Sequence, residues 1–267
     1  MSDIKLYQGD CLEVMKNIPD KSVDMVLCDL PYQKTHNSWD IMIPFESLWQ
    51  QYERIITDTA TICLFGQDTF TAKLMLSNEK LHRYNIIWDK VLTGGFLNAK
   101  KQPLRSHEDI CIFYKKFGTY NPQMIVGEKC HSKGKAVGQH SDNLTNNNYG
   151  GYTVVECVND MKYPKSIISF SKPHPSIAVH PTQKPVDLLQ YLIKTYTNEG
   201  DTVLDNCMGS GSTGVAAKIL NRNFIGIELD ENYFKIAEER INAAVVGEPG
   251  TSQIKKVEPE HKVHKFF

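Results

Sequence analysis

Seven short apolar runs punctuate this 267-residue chain, and helix-like patterns lie between several of them. The runs are Ile4–Gln8, Val23–Cys28, Ala60–Phe65, Tyr84–Trp88, Ile110–Tyr114, Thr202–Leu204 and Phe224–Ile227. They are short and largely apolar, as strands buried on both faces of a sheet must be. Between them, Phe45, Leu48, Trp49, Tyr52, Ile55 and Ile56 recur at helical spacing, and so do Leu188, Leu189, Leu192, Ile193 and Tyr196. Asp230 is placed to cap a further helix carrying Tyr233, Ile236, Ala237 and Ile241. Strands alternating with helices predict an α/β fold with a mostly parallel sheet and helices on both faces. Such sheets bind ligands at the carboxyl ends of their strands. The aromatic pair Trp49 and Tyr52 is expected in the core.

Composition narrows the class. The chain is 41% hydrophobic and 23% charged, as a globular protein is. No apolar run reaches the roughly 20 residues a membrane span needs, and "MSDIKLYQGD" has no signal-peptide pattern, so a cytoplasmic protein without a membrane partner is expected. The seven cysteines are scattered, without a CxxC pair, and read as reduced core thiols, not as a zinc site or a disulfide framework. The net charge is −1, but Leu81 to Lys172 carries 13 Lys+Arg against 7 Asp+Glu, a net of +6, and the remainder a net of −7. A basic middle can meet phosphates, although solvated surface gives the same imbalance. From Gly118 to Ser171 the regular pattern lapses into Gly, Asn, Ser and Lys, and a long insertion in a compact domain is often functional. His107, His131 and His140 read as surface residues.

Two places look chemical. In "VLDNCMGSGSTGVAA" a strand runs to Asp205, and Gly209, Gly211 and Gly214 follow with the spacing G-x-G-x-x-G. Glycines let a backbone approach a ligand, and the helix that opens there favours an anion. Glu228 ends the next strand, where an acid accepts hydrogen bonds from ribose hydroxyls. NAD would use a similar layout. Asp205, however, would face a pyrophosphate unfavourably and suits a cofactor with an ammonium group, such as S-adenosylmethionine.

The second place is "SVDMVLCDLPY", where a strand runs into Asp29, Leu30, Pro31 and Tyr32. A strand-to-loop corner would use the same residue types. Beside an S-adenosylmethionine pocket they suggest amine methylation. An exocyclic amine on a nucleobase is a poor nucleophile, because its lone pair is delocalised into the ring. The Asp29 carboxylate and the Leu30 carbonyl could each accept one N–H and free that lone pair. Pro31 would fix the turn and Tyr32 would stack on the base. A base in a duplex reaches such a pocket only when flipped out.

At these residues the chain resembles an amino-group DNA methyltransferase. "DLPY" resembles the family's D-P-P-Y motif, and "VLDNCMGSGSTG" its cofactor motif D-P-F-x-G-S-G-T-T. "HPTQKP" at His180–Pro185 resembles the segment opening the helix before the cofactor motif, and Trp39-Asp40 also recurs in relatives. With the catalytic motif first, the order is that of the β group, whose target-recognition region lies between the two motifs. The resemblance spans about Ile4 to Val246. It implies a circularly permuted Rossmann-like methyltransferase fold with a seven-stranded, mostly parallel sheet. Residues 1–117 would form the catalytic half, 118–172 an irregular target-recognition insert, 173–246 the cofactor-binding half and 247–267 a flexible tail.

Further roles are implied position by position. Asp10 and Cys11 match a segment that contacts the cofactor's adenine, although Asp10 would also serve as a helix cap. Glu228 matches the ribose acid. Asp205, Cys207, Gly209 and Gly211 match the loop around the methionine portion, and Thr182 and Lys184 match positions near its carboxylate. His180 suits a structural hydrogen bond as well as a site role. Leu30 departs from the usual first proline, and that position contributes mainly its carbonyl. Asn206-Cys207 replaces Pro-Phe, which implies a less bulky wall. Within the insert, Lys129, Lys133 and Lys135 are candidates for phosphates, and Asn146, Asn147 and Asn148 for base edges. The implied function is transfer of a methyl group from S-adenosylmethionine to adenine N6 in double-stranded DNA. Asp29 rather than Ser at the head of the motif favours adenine over cytosine N4. RNA methylation and a nucleotide-binding Rossmann protein without methyl transfer are the rival readings. A homodimer and a cognate restriction endonuclease acting independently are compatible partners.

Overall fold

The computed structural model describes residues 2–32, 42–127, 160–172 and 183–247. The chain divides into two compact units, Met1–Asn121 with Ser166–Phe267, and Pro122–Lys165. In the first unit the strands are β1 (Ile4–Gln8), β2 (Val23–Cys28), β3 (Ile56–Gly66), β4 (His82–Gly94), β5 (Arg105–Phe113), β8 (Ile167–Ser169), β9 (Thr202–Asp205) and β10 (Asn223–Glu228). In the second, β6 (Ile125–Val126) pairs antiparallel with β7 (Met161–Lys162).

The first unit's strands form one eight-stranded sheet in the order β1-β10-β9-β2-β3-β5-β4-β8. From β1 through β3 every pairing is parallel. Strand β5 runs antiparallel to both β3 and β4. The expected seven strands all form, and β8 is added parallel to β4 at the edge. It escaped the sequence reading because it has only three residues, two of them exposed, inside a stretch read as irregular. That stretch is therefore not wholly irregular. Strand β4 also runs six residues beyond the apolar Tyr84–Trp88, to Gly94.

Alternation along the central strands explains the layering. In β2, Val23, Val26 and Cys28 join the core with Leu48, Trp49, Tyr52 and Ile55 of α2 (Phe45–Ile55). Met25 and Leu27 point the other way, toward Leu188, Leu189, Leu192 and Ile193 of α4 (Val186–Tyr196). Successive strand residues face opposite sides, so a strand apolar at nearly every position must be covered twice. Each large apolar side chain so buried contributes roughly 1.5–3 kcal/mol. Helices α1 (Cys11–Met15) and α3 (Thr69–Ser77) complete the first layer, and α5 (Ser212–Ile219) and α6 (Glu231–Ala243) the second. Asp230 caps α6 as expected, accepting from the amides of Asn232 and Tyr233 at 2.8 and 3.0 Å. Cys11, Cys28, Cys63 and Cys111 are buried and unbridged. Among the described residues, no helix is long and apolar enough to cross a membrane.

Candidate active site

Because β1, β10, β9, β2 and β3 are parallel, their carboxyl ends share one edge. Gly9, Glu228, Asp205, Asp29 and Phe65 all line a cavity of about 310 Å³ there. That is the size of a site for a small organic ligand.

The glycine turn forms one end. Gly211 lies in the left-handed region, φ 78°, directly before α5. A Cβ there would stand 2.8 Å from the Ala237 Cβ of α6, so the turn and the packing of the two helices both need glycine. Arg240 of α6 braces the turn through the Ser210 carbonyl and the hydroxyls of Ser210 and Ser212. Asp205 Oδ1 accepts from the Cys207 amide at 3.1 Å. Glu228 accepts from the Gly209 amide at 2.8 Å and from the Asp230 amide at 2.9 Å. Burial pushes the Asp205 carboxyl up to about 6, against the Thr213 hydroxyl, the Cys207 amide and Cys28, which hold it down. Burial raises Glu228 as well, and its backbone donors partly offset the rise.

Cys11 and Cys207 line the same cavity. Cys207 hydrogen-bonds Cys11 and Cys28, and these bonds together with burial hold its thiol well above the ordinary value. Tyr52 donates to Asn206 Oδ1 at 2.5 Å.

Asp29 forms the other end. Its Oδ2 is ion-paired with Lys184 Nζ. Lys184 also lies 3.3 Å from Glu108 Oε2, and Glu108 Oε1 is 2.5 Å from Lys90 Nζ. Lys90, Glu108 and Lys184 are all buried. Two cations and two carboxylates thus form a chain through the protein, from β4 across β5 to the end of β2, and a third cation, Lys172, acts on Lys90 and Glu108. Glu108 Oε2 is in ion-pair range of Lys184 without a well-directed hydrogen bond. Burial lowers the Lys184 ammonium, but Asp29 and Glu108 outweigh it and keep the proton on nitrogen. Burial pushes the Asp29 carboxyl up, Lys184 draws it back and Glu108 pushes it up again, with a net rise. Asp29 Oδ1 is buried and accepts no hydrogen bond from the protein. A buried acceptor without a donor costs about 1–3 kcal/mol, so it marks where a donor belongs. Tyr32 stacks on Phe70 with ring centroids 4.6 Å apart, and both Tyr32 and Pro31 line the cavity.

A family model described as DNA methylase, N6_N4_Mtase, matches residues 23–239. The chain belongs to that family. The type II methyltransferase M2.DpnII of Streptococcus pneumoniae is 39% identical over 89% of this chain and 89% of its own length. The structure titled M1.HpyAVI-SAM complex is 25% identical, with a TM-score of 0.62 over 90% of this chain and 99% of that one. PvuII DNA methyltransferase, titled cytosine-N4-specific, shares the fold with a TM-score of 0.64 over 90% of this chain and 86% of that one, at 14% identity. The family's methyl donor is S-adenosylmethionine. The cavity's donor set fits it: carboxylates at Asp205 and Glu228 for a cationic, hydroxyl-bearing ligand, and an apolar wall including Leu12 and Ile43.

In this methylase the structure brings together Asp29, Leu30, Pro31, Tyr32, Asp10, Cys11, Asp205, Cys207, Gly209, Glu228 and Lys184 around one cavity. Gly211 supports the cavity from behind as the N-cap of α5. Asp10 both lines the cavity and caps α1, accepting from the Leu12 amide at 2.8 Å. Lys184, expected near the cofactor's carboxylate, lines the cavity with its ammonium on Asp29 and Glu108. Tyr32 stacks on a protein ring, Phe70. Thr182, His180, Lys129, Lys133, Lys135, Asn146, Asn147, Asn148, His131, His140, Trp39 and Asp40 lie outside the described residues. His107 is exposed. Sequence reasoning missed Glu108 and Lys90. Their only signal was a charge two places from an apolar run, before "ICIF" in one case and after "IIW" in the other.

Proposed function

We propose that the methylase transfers a methyl group from S-adenosylmethionine to the exocyclic N6 of a flipped-out adenine in duplex DNA. The observation that carries this reading is the buried, unpartnered Asp29 Oδ1 at the cavity, with its twin Oδ2 fixed by Lys184. A carboxylate held this way has one oxygen left to accept one N–H of an amine. The Leu30 carbonyl accepts the second N–H, which frees the nitrogen lone pair for attack. Bound S-adenosylmethionine supplies the electrophilic methyl group. Asp205, Glu228, Asp10 and Cys11 hold and orient it, and the largely apolar wall excludes water. As the new N–C bond formed, the bond from the methyl group to the cofactor's sulfonium sulfur would break, its electron pair would stay on sulfur and the neutral thioether would leave, while the amine would give up one proton, for which the Asp29 carboxylate is the acceptor.

Asp29 at the head of the motif supports adenine over cytosine. Residues 118–172 are proposed to read the target, with Lys129, Lys133 and Lys135 on phosphates and Asn146, Asn147 and Asn148 on base edges. A restriction endonuclease acting independently on the same site fits a relative named as a type II methyltransferase. The test is incubation of plasmid DNA with labelled S-adenosylmethionine, digestion to nucleosides and chromatography. Label in N6-methyladenine is expected. Label in N4-methylcytosine would overturn the choice of base. Cofactor binding with no labelled base in DNA would overturn methyl transfer.

A further inference from the structure

The hairpin joining β4 and β5 carries an unusual tip. Strand β4 is parallel to β3, since both run antiparallel to β5, so Gly94 and Arg105 emerge at the sheet edge that holds the cavity. The root of the hairpin is tied to the catalytic acid, because Lys90 and Glu108 continue through Lys184 to Asp29. Gln67, just beyond β3, donates to the His107 carbonyl at 3.3 Å. The extended chain from Lys90 to Gly94 carries the tip at most about 13 Å farther out.

The tip itself is apolar and exposed. Phe96 is 69% exposed and Leu97 fully so, on a single 3-10 turn at Phe96–Asn98, and Val91 and Leu92 are about half exposed. Gly95, in the left-handed region at φ 88°, starts that turn. Val91 has φ 62°, a rare conformation for a β-branched residue, and its amide is held at 3.0 Å by Asp89 Oδ1. Residues 90–105 include Lys90, Lys100, Lys101 and Arg105 and no acid. A strained hairpin with two large apolar side chains at its tip and cations on its return arm is not explained by packing. Proteins that unstack DNA insert Phe or Leu between base steps and hold the neighbouring phosphates with Lys and Arg.

We infer that this hairpin is a DNA wedge. Phe96 and Leu97 enter the duplex where the target base leaves it, and Lys100 and Lys101 hold the flanking phosphates. The inference rests on the proposed methyl transfer to a flipped base. It adds a DNA contact outside residues 118–172 and names the groups that fill the vacated stack.

The test compares the unaltered chain with Phe96→Ser/Leu97→Ser and Lys100→Ala/Lys101→Ala. The substrates are a duplex carrying the site found by modification-sensitive sequencing, and the same duplex with an abasic position opposite the target base. An unpaired target needs little help to leave the stack. For the Ser variant we expect methylation of the paired duplex to fall at least about tenfold and that of the abasic duplex less than about threefold. Fluorescence of 2-aminopurine at the target position should lose most of its rise. S-adenosylmethionine affinity, measured by calorimetry, should not change, which checks the fold. The lysine variant should flatten the salt dependence of binding by about two units of slope. Equal losses on both duplexes, or none, would overturn the wedge. A changed sedimentation coefficient with normal flipping would make the tip a contact between two copies and also overturn it. No methylation of any DNA by the unaltered chain would overturn the activity itself, and the wedge with it.

Discussion

At the glycine-turn end of the cavity backbone amides hold both acids, with the Thr213 hydroxyl and Cys28 thiol also on Asp205, and at the Asp29 end other side chains do so. Glu228 takes the Gly209 and Asp230 amides, and Asp205 takes the amide of Cys207 two residues on. Backbone donors survive every side-chain substitution except proline, and a turn that presents them is fixed by its own glycines. Asp29 depends on Lys184, 155 residues distant, which in turn depends on Glu108 and Lys90. The first arrangement is local and tolerant. The second is shared among four places in the chain, the end of β2, β4, β5 and the segment before α4. It also leaves Asp29 Oδ1 without a protein donor, whereas each oxygen of Glu228 already accepts one backbone amide.

The largest effect that would break this contrast is on stability. Lys184→Met leaves the buried Glu108 and the partly buried Asp29 with one cation fewer, and removing one partner of a buried pair typically costs about 3–5 kcal/mol. Urea unfolding should show that loss, and Lys184→Arg should recover most of it by keeping the charge. A loss below about 1 kcal/mol for the Met variant would mean that the carboxylates do not need the lysine. Next is Asp29→Ala. Removing an aimed acceptor costs about 2.7–4 kcal/mol in the barrier, roughly a hundredfold to a thousandfold in rate. Single-turnover methyl transfer should fall by that factor while the dissociation constant for S-adenosylmethionine stays within a few-fold. Methylation near the unaltered rate would remove Asp29 from the chemistry.

The same contrast explains what could be read beforehand. Asp205, Glu228 and the three glycines sit at fixed offsets within one strand-turn-helix-strand unit, so their spacing carried the information. Asp29 was legible because a short motif follows the apolar Val23–Cys28. The partner of Asp29 was not legible. Lys184 lies in a segment whose resemblance pointed to the cofactor, and Glu108 and Lys90 belong to a hairpin that no short motif marks. An ion pair across 155 residues leaves no period or spacing in a single sequence. Strand β8 was missed for a related reason. Three residues at a sheet edge gain their structure from pairing with β4, not from their own pattern.

A smaller effect tests the tolerant end. Glu228→Ala removes a charged acceptor from the cavity wall, and hydrogen bonds to charged groups contribute about 1.5–3 kcal/mol. Cofactor affinity should weaken by that amount, and the rate at saturating cofactor should change little. If kcat fell as far as in Asp29→Ala, with affinity preserved, the two ends would not divide binding from chemistry as described.

The smallest effect is a proton. Burial raises the Asp205 carboxyl above its ordinary value, to about 6. A carboxyl raised by folding contributes stability that is fully present below its unfolded value near 4 and is lost as pH rises through about 6. A cationic cofactor has the opposite preference, because it gains most from the ionised carboxylate. Binding of S-adenosylmethionine should therefore release a proton from Asp205 near pH 6 and tighten as pH rises through that value. If only the carboxylate binds, affinity should weaken about fivefold from pH 6 to pH 5, roughly 1 kcal/mol. The groups facing this carboxyl are the Thr213 hydroxyl, the Cys207 amide, the buried Cys28 thiol, which is itself pushed up to about 12, and the charge of Asp29. Burial raises the carboxyls of Asp29 and Glu228 as well, so the profile should also be taken in the Asp29→Asn and Glu228→Gln backgrounds. Calorimetry in two buffers of different ionisation enthalpy counts the proton directly. Asp205→Asn should remove both the proton release and the pH dependence. If both persist in that variant, the titrating group is not Asp205, and the glycine-turn end meets the cofactor's positive charge with another residue.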